Sequence, residues 1–149
     1  MKIVRGISDG LIHVRKTVTF TGAAGAGAVG TVAVFTVTGR VIVPYNTVFC
    51  TTSLEEAAPT ATIIMGVASD TDAFRSTSNA VDCDQNDWLL TAASNAGVGV
   101  IGSVLDADYP IALSESIAFT IGAQNVTAGV LVCDIWYYPI TDDGALVAA

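Results

Sequence analysis

Apolar side chains recur at every second position along most of this chain, in runs too short for helices. In residues 14–21, Val14, Val18 and Phe20 share one parity, while Arg15, Thr17, Thr19 and Thr21 take the other. That is the pattern of a half-buried β-strand. Residues 31–38 follow with β-branched and aromatic side chains, ended by Gly39, and Val41 to Val43 makes a short run before Pro44. Further strands are expected at 48–52, 60–68, 88–91, 115–122 and 129–138, the last two joined by a turn at 124–128. A turn is expected at 53–59, and a weak strand broken by Gly99 and Gly102 is expected at 98–105. The polar stretch 69–87 reads as a loop holding a short strand or helical turn near 73–75. About eight strands without a convincing amphipathic helix predict an all-β sandwich, jelly-roll-like in its leading topology.

The length, 149 residues, suits one core that needs no disulfide staples. The expected organisation is a basic N-terminal arm over 1–13 and a single sandwich domain over 14–149. Charged residues make up only 13% of the chain, about half the usual share. So little charge favours a subunit buried against other chains over a freely diffusing enzyme.

The charge is also divided. Residues 1–40 hold Lys2, Arg5, Arg15, Lys16 and Arg40 against Asp9, whereas the remainder sets Arg75 against thirteen acids. A basic segment on an acidic chain suggests an acidic neighbouring subunit as its partner. Nucleic acid fits poorly, because phosphate binding wants a basic domain and this one has a pI near 4.2. Residues 17–39 carry no charge and have the length of a membrane span. Their five Gly, six Thr and strand-like alternation argue against a lipid-buried helix. No apolar run follows the basic start as a signal peptide requires.

Several motifs invite chemistry and have plainer explanations. Gly25, Gly27 and Gly30 spell G-x-G-x-x-G, but a β-branched strand follows where a dinucleotide site needs a helix. A flexible or closely packed connection between strands is the expectation, and no cofactor is implied. Asp82, Asp84 and Asp87 suggest calcium, yet an EF-hand would require Gly at position 87 and Glu at position 93, where Asp and Ala stand. A solvated acidic loop is the default. His13 is the sole histidine and lacks an evident catalytic partner. Cys50, Cys83 and Cys133 show no metal spacing; Cys50 and Cys133, inside apolar runs, read as buried free thiols. The sequon at Asn125 reads as a turn. Trp136 and Tyr138 should share one face of the last long strand and Tyr137 the other, where core packing and self-association both fit.

Three segments carry a family resemblance: KTVTFTGAAGAGAVGTVAVFTVTG at 16–39, IMGVASDTDAF at 64–74 and AGVLVCDIWYYPITDDG at 128–144. Together they resemble a family of small structural proteins, head decoration or cement-like, from tailed phages and prophages. The resemblance implies a virion component of the phage head, assembled in the host cytoplasm. It further implies a capsid decoration role, with the major capsid protein and symmetry mates of a homotrimer as partners. It carries over no catalytic residue, so no enzyme is expected. Lys2, Arg5, Arg15, Lys16 and Arg40 are the candidate docking residues, and Trp136, Tyr137 and Tyr138 the candidate self-association residues. The alternative is a tail- or fibre-associated module that binds a host-surface glycan through exposed aromatics.

Overall fold

The computed structural model describes residues 10–89 and 111–149. Two antiparallel sheets enclose one core. Nine strands run in chain order: β1 (Ile12–Thr19), β2 (Gly30–Thr38), β3 (Val41–Glu56), β4 (Thr62–Val67), β5 (Asp70–Asn79), β6 (Ile111–Leu113), β7 (Ile117–Gly122), β8 (Val126–Pro139) and β9 (Ala145–Ala148). Among the described residues the only helical element is a 3₁₀ turn, Ala80–Asp82. The expected all-β sandwich is what forms.

The four-stranded sheet has the order β1-β8-β3-β6 and the five-stranded sheet the order β5-β4-β7-β2-β9. Strand partners β1 with β8, β2 with β7, β3 with β6 and β4 with β5 describe one long antiparallel ribbon, folded double and wrapped so that its halves face each other. The glycine that ends β2 makes one corner of this wrap. Gly39 has φ +60°, and across it the chain leaves the five-stranded sheet and enters the four-stranded one. Arg40 fixes the corner with its backbone, its N–H donating to Thr141 Oγ1 at 2.9 Å and its carbonyl accepting from the N–H of Ile140 at 2.8 Å.

Alternation decides the core. Along β7, Ile117, Phe119 and Ile121 point inward, and along β8 Leu131, Cys133, Ile135 and Tyr137 do the same. They meet Val48 and Cys50 of β3, Ile63 and Met65 of β4, Phe35 of β2 and Phe74 of β5. Burying such side chains supplies roughly 1.5–3 kcal/mol each relative to exposure, and no disulfide contributes.

Several segments differ from the expectation. β1 begins at Ile12, so the last two positions of the predicted arm belong to the sheet. The runs at 41–43 and 48–52 are one strand, β3, which extends through most of the expected turn. Pro44 is accommodated because the β3–β8 register shifts between Ile42 and Tyr45, and a register break tolerates the missing N–H. Much of the polar stretch 69–87 is β5, an edge strand whose Asp70, Thr71 and Asp72 face solvent. Residues 126–128, expected as a turn, open β8, and β6 and β9 were not anticipated. Trp88 makes an isolated bridge with Phe49. The weak strand at 98–105 falls outside the described residues, as do Lys2 and Arg5.

Arg75 is only 4% exposed. Its guanidinium donates to the carbonyls of Leu89 at 2.7 Å and Phe74 at 2.5 Å, and to that of Asn46 on β3 at 3.3 Å. One buried cation thereby links an edge of the five-stranded sheet to the opposite sheet.

Of the two forms expected of the glycine-rich connection, flexible or closely packed, it takes the second, and β2 and not a helix follows. Gly27 has φ +113°, and a Cβ there would collide with the Val126 carbonyl. The N–H of Val126 donates to the Gly27 carbonyl at 2.7 Å. Asn125, the sequon residue, clasps the same loop, accepting from the N–H of Val29 at 3.0 Å and donating to the Gly22 carbonyl at 3.4 Å. Gly27→Ala is therefore expected to cost about 1–3 kcal/mol of unfolding free energy, seen as a lower urea midpoint.

Candidate docking face

The outward surface of the four-stranded sheet is built by register. Residues directly opposite each other in antiparallel strands share a face. One row joins His13 of β1, Trp136 of β8 and Tyr45 of β3; the next joins Arg15, Asp134 and Thr47; a third joins Thr17, Val132 and Phe49. On the other side of the His13 row, Tyr138 pairs with Ile42, which in turn pairs with Ala112 of β6. The rows are aromatic, aliphatic and threonine-rich, and their charges fall in one cluster.

That cluster neutralises itself. Arg15 grips Asp134 with two bonds, Nε to Oδ1 at 2.8 Å and Nη2 to Oδ2 at 3.0 Å. His13 Nε2 lies 2.5 Å from Asp134 Oδ1. Burial by itself would raise the Asp134 pKa, but the hydrogen bonds from Arg15 and His13, together with their charge, hold it below the usual carboxylate value. The His13 ring also stacks on Trp136, with centroids 4.7 Å apart and planes at 24°. Further along, Trp88 packs on Phe49 with centroids 4.7 Å apart. Tyr45 is 46% exposed. The Tyr138 hydroxyl is buried with no hydrogen-bond partner among the described residues.

The candidate residues distribute unevenly. Trp136 and Tyr138 lie on this face as alternation predicts. Tyr137, proposed with them for self-association, is 5% exposed in the core, because its parity turns it inward; it is a packing residue. Arg15 belongs to the face but is bound to Asp134. Lys16 has the opposite parity, and its Nζ donates to the carbonyl of Ala149 beyond β9. Arg40 sits at the β2–β3 corner. The described basic residues therefore do not form one patch. Sequence reasoning missed Asp134 and Tyr45; the signal available was a lone acid within the apolar run 128–138.

The Asp82, Asp84 and Asp87 loop is explained by its own turn. The Asp87 carboxylate accepts from the N–H of Asp84 at 3.1 Å, and Asp82 accepts from the side-chain amide of Asn79 at 3.2 Å. Among the described residues, no three His, Cys, Asp or Glu side chains converge as a metal centre would require. No described helix is long and apolar enough to cross a membrane.

No protein-family model and no curated protein matches the chain. Among solved structures it aligns with a chain of the "Cyanophage Pam1 capsid asymmetric unit" over 93% of its own length and 94% of that chain, at 14% identity and a TM-score of 0.40.

The lowered Asp134 pKa sets a pH dependence. A carboxylate with a depressed folded pKa adds stability above its unfolded pKa, about 3.9, and loses it as pH falls through the folded value. Asp134→Asn should be less stable than the parent near neutral pH, and the gap should close below about pH 4. Denaturation midpoints measured from pH 7 to pH 2 check this; a constant gap would exclude an ionised role for Asp134.

Proposed function

We propose that the chain is a non-catalytic virion protein that decorates a phage head, binding the outside of the major capsid lattice and stabilising it as a cement. The observation that carries this reading is the outward face of the four-stranded sheet: among the described residues it is poor in charge, aromatic at Trp136 and Tyr45, and its Arg15–Asp134–His13 cluster is already paired. The apolar rows of such a face gain by burial on docking, whereas unpaired charges among them would oppose it. The resemblance of the segments at 16–39, 64–74 and 128–144 to phage structural proteins supports virion membership. We read the ribbon wrapped as β1–β8, β2–β7, β3–β6 and β4–β5 as a jelly roll, an architecture used in viral shells among other settings.

Stabilisation in this reading is mass action. A ligand that binds the assembled lattice and not its dissociated parts shifts the equilibrium towards the shell by RT ln(1 + [L]/Kd), about 2.7 kcal/mol at a hundredfold excess over Kd. Trimeric symmetry would multiply the contacts each copy makes. The basic residues Lys2, Arg5, Arg15, Lys16 and Arg40 are in this reading secondary to the apolar rows, since charge speeds encounter more than it tightens a complex.

A second reading has one specific observation in its favour. The His13–Trp136 stack stands beside exposed Tyr45, an aromatic group that a tail- or fibre-associated module would lay against a sugar ring.

Tyr45→Glu separates these readings from a face with no partner. The substitution places a charge on an exposed position and leaves the core untouched. Occupancy on purified shells stripped of the protein should fall at least about tenfold, as for a central interface residue, with the monomer's melting temperature unchanged. Unchanged occupancy would remove this face from the docking role, and hits for the parent on a glycan array would favour the second reading.

A further inference from the structure

The described thiols are not equivalent. Cys133 stands alone on the inward side of β8, and burial pushes its pKa up to about 12. Cys50, inward on β3, and Cys83, which follows the 3₁₀ turn, are a pair. Their segments are stitched together by backbone bonds: Leu54 N–H to the Cys83 carbonyl at 3.0 Å, Cys50 N–H to the Asp87 carbonyl at 2.8 Å, and Asn86 N–H to the Cys50 carbonyl at 2.8 Å. Cys50 Sγ lies 3.5 Å from the Cys83 carbonyl and 3.1 Å from that of Thr52. Each thiol bears on the other's proton: Cys83 pulls the Cys50 pKa down, while Cys50, together with burial, pushes that of Cys83 up. Backbone bonds on both sides hold the two segments together and bring Cys50 Sγ against the Cys83 main chain, and bridging is limited by how close two such backbones already stand.

We infer that Cys50 and Cys83 are a redox pair that closes into a disulfide when the chain passes from reducing to oxidising surroundings, locking residues 80–87 onto β3. The oxidant is a small-molecule disulfide. The Cys50 thiolate attacks one of its sulfurs, forming a mixed disulfide and releasing one thiolate. The Cys83 thiolate then attacks the Cys50 sulfur and expels the second. Two protein thiols give up two electrons and two protons, and the oxidant becomes two small thiols. Both cysteines are buried, at 0% and 1% exposure, so residues 80–87 must lift from β3 before the first attack. That opening sets the rate. Once closed, the bridge ties the chain between positions 50 and 83 and removes loop freedom from the unfolded state. The inference does not depend on the decoration role.

The test uses the full chain incubated with oxidised glutathione, quenched in acid, alkylated in denaturant and mapped by mass spectrometry. The expected product has lost about 2 Da, carries a Cys50–Cys83 cross-link with Cys133 alkylated, and reverts with dithiothreitol. Its melting temperature should rise by about 5–10 °C. Cys133→Ala should form the same cross-link. Alkylation of both Cys50 and Cys83, a glutathione adduct that never resolves, or a cross-link through Cys133 would overturn the pairing. A cross-link that leaves the melting temperature unchanged would overturn the lock.

Discussion

β8 lies between β1 and β3, and its register on both sides decides what the molecule can bury and what it can show. Successive residues of this strand serve opposite faces. Leu131, Cys133, Ile135 and Tyr137 close the core, while Val132, Asp134, Trp136 and Tyr138 lie on the outer surface. A slip of one residue would drive Asp134 into the apolar interior and expose Leu131 and Ile135, so hydrophobicity alone forbids it. The ion pair adds a second condition, because Arg15 reaches Asp134 only when the two stand directly opposite. Core packing and surface electrostatics therefore select the same alignment, and agreement between levels is what allows one structure to win.

The wrapped ribbon leaves four strands at sheet ends, and two of them, β1 and β5, carry charges. β1 and β5 each end a sheet. β1 presents His13 and Arg15, with Lys16 bridging to the end of the other sheet; β5 presents Asp70 and Asp72. Charged edge strands discourage pairing with another chain. Part of the division between a basic first segment and an acidic remainder thus has a structural origin, independent of any partner. The aromatic outward rows of the central strands have no comparable duty within the monomer, which is why they, more than the basic residues, carry the functional reading.

Strand identity was legible wherever one face is core, as at Ile117, Phe119 and Ile121, because burial writes a period of two into the sequence. It was illegible where that pressure is absent. β5 is an edge strand with one large apolar residue, Phe74, and its polar composition mimics a loop. β6 and β9 are three and four residues long, too short for alternation to declare itself. Pro44 disguised the continuity of β3, since a break in register with β8 leaves no trace in composition. At the outer face, alternation correctly assigned Trp136 and Tyr138, but Asp134 and Tyr45 acquire meaning only from neighbours more than 80 positions away. Cross-strand adjacency of that kind is a property of the fold and cannot be read from local pattern.

The few cations make the last connection. Arg75, the one basic residue in the acidic part of the chain, is consumed inside, where its guanidinium satisfies backbone carbonyls from Leu89, Phe74 and Asn46. Arg15 is held by Asp134 and Lys16 by the Ala149 carbonyl, so the basic residues described on β1 already have partners within the molecule. A partner that relied on them would first have to break those bonds, and exposed charge pairs return little free energy for doing so. Trp136, Val132, Phe49 and Tyr45 impose no such cost, since apolar area is favourably removed from water whatever its neighbours. In the proposed decoration role, attachment through this surface would draw its strength from apolar burial, and the charges of β1 contribute mainly to the pairing of β1 with β8.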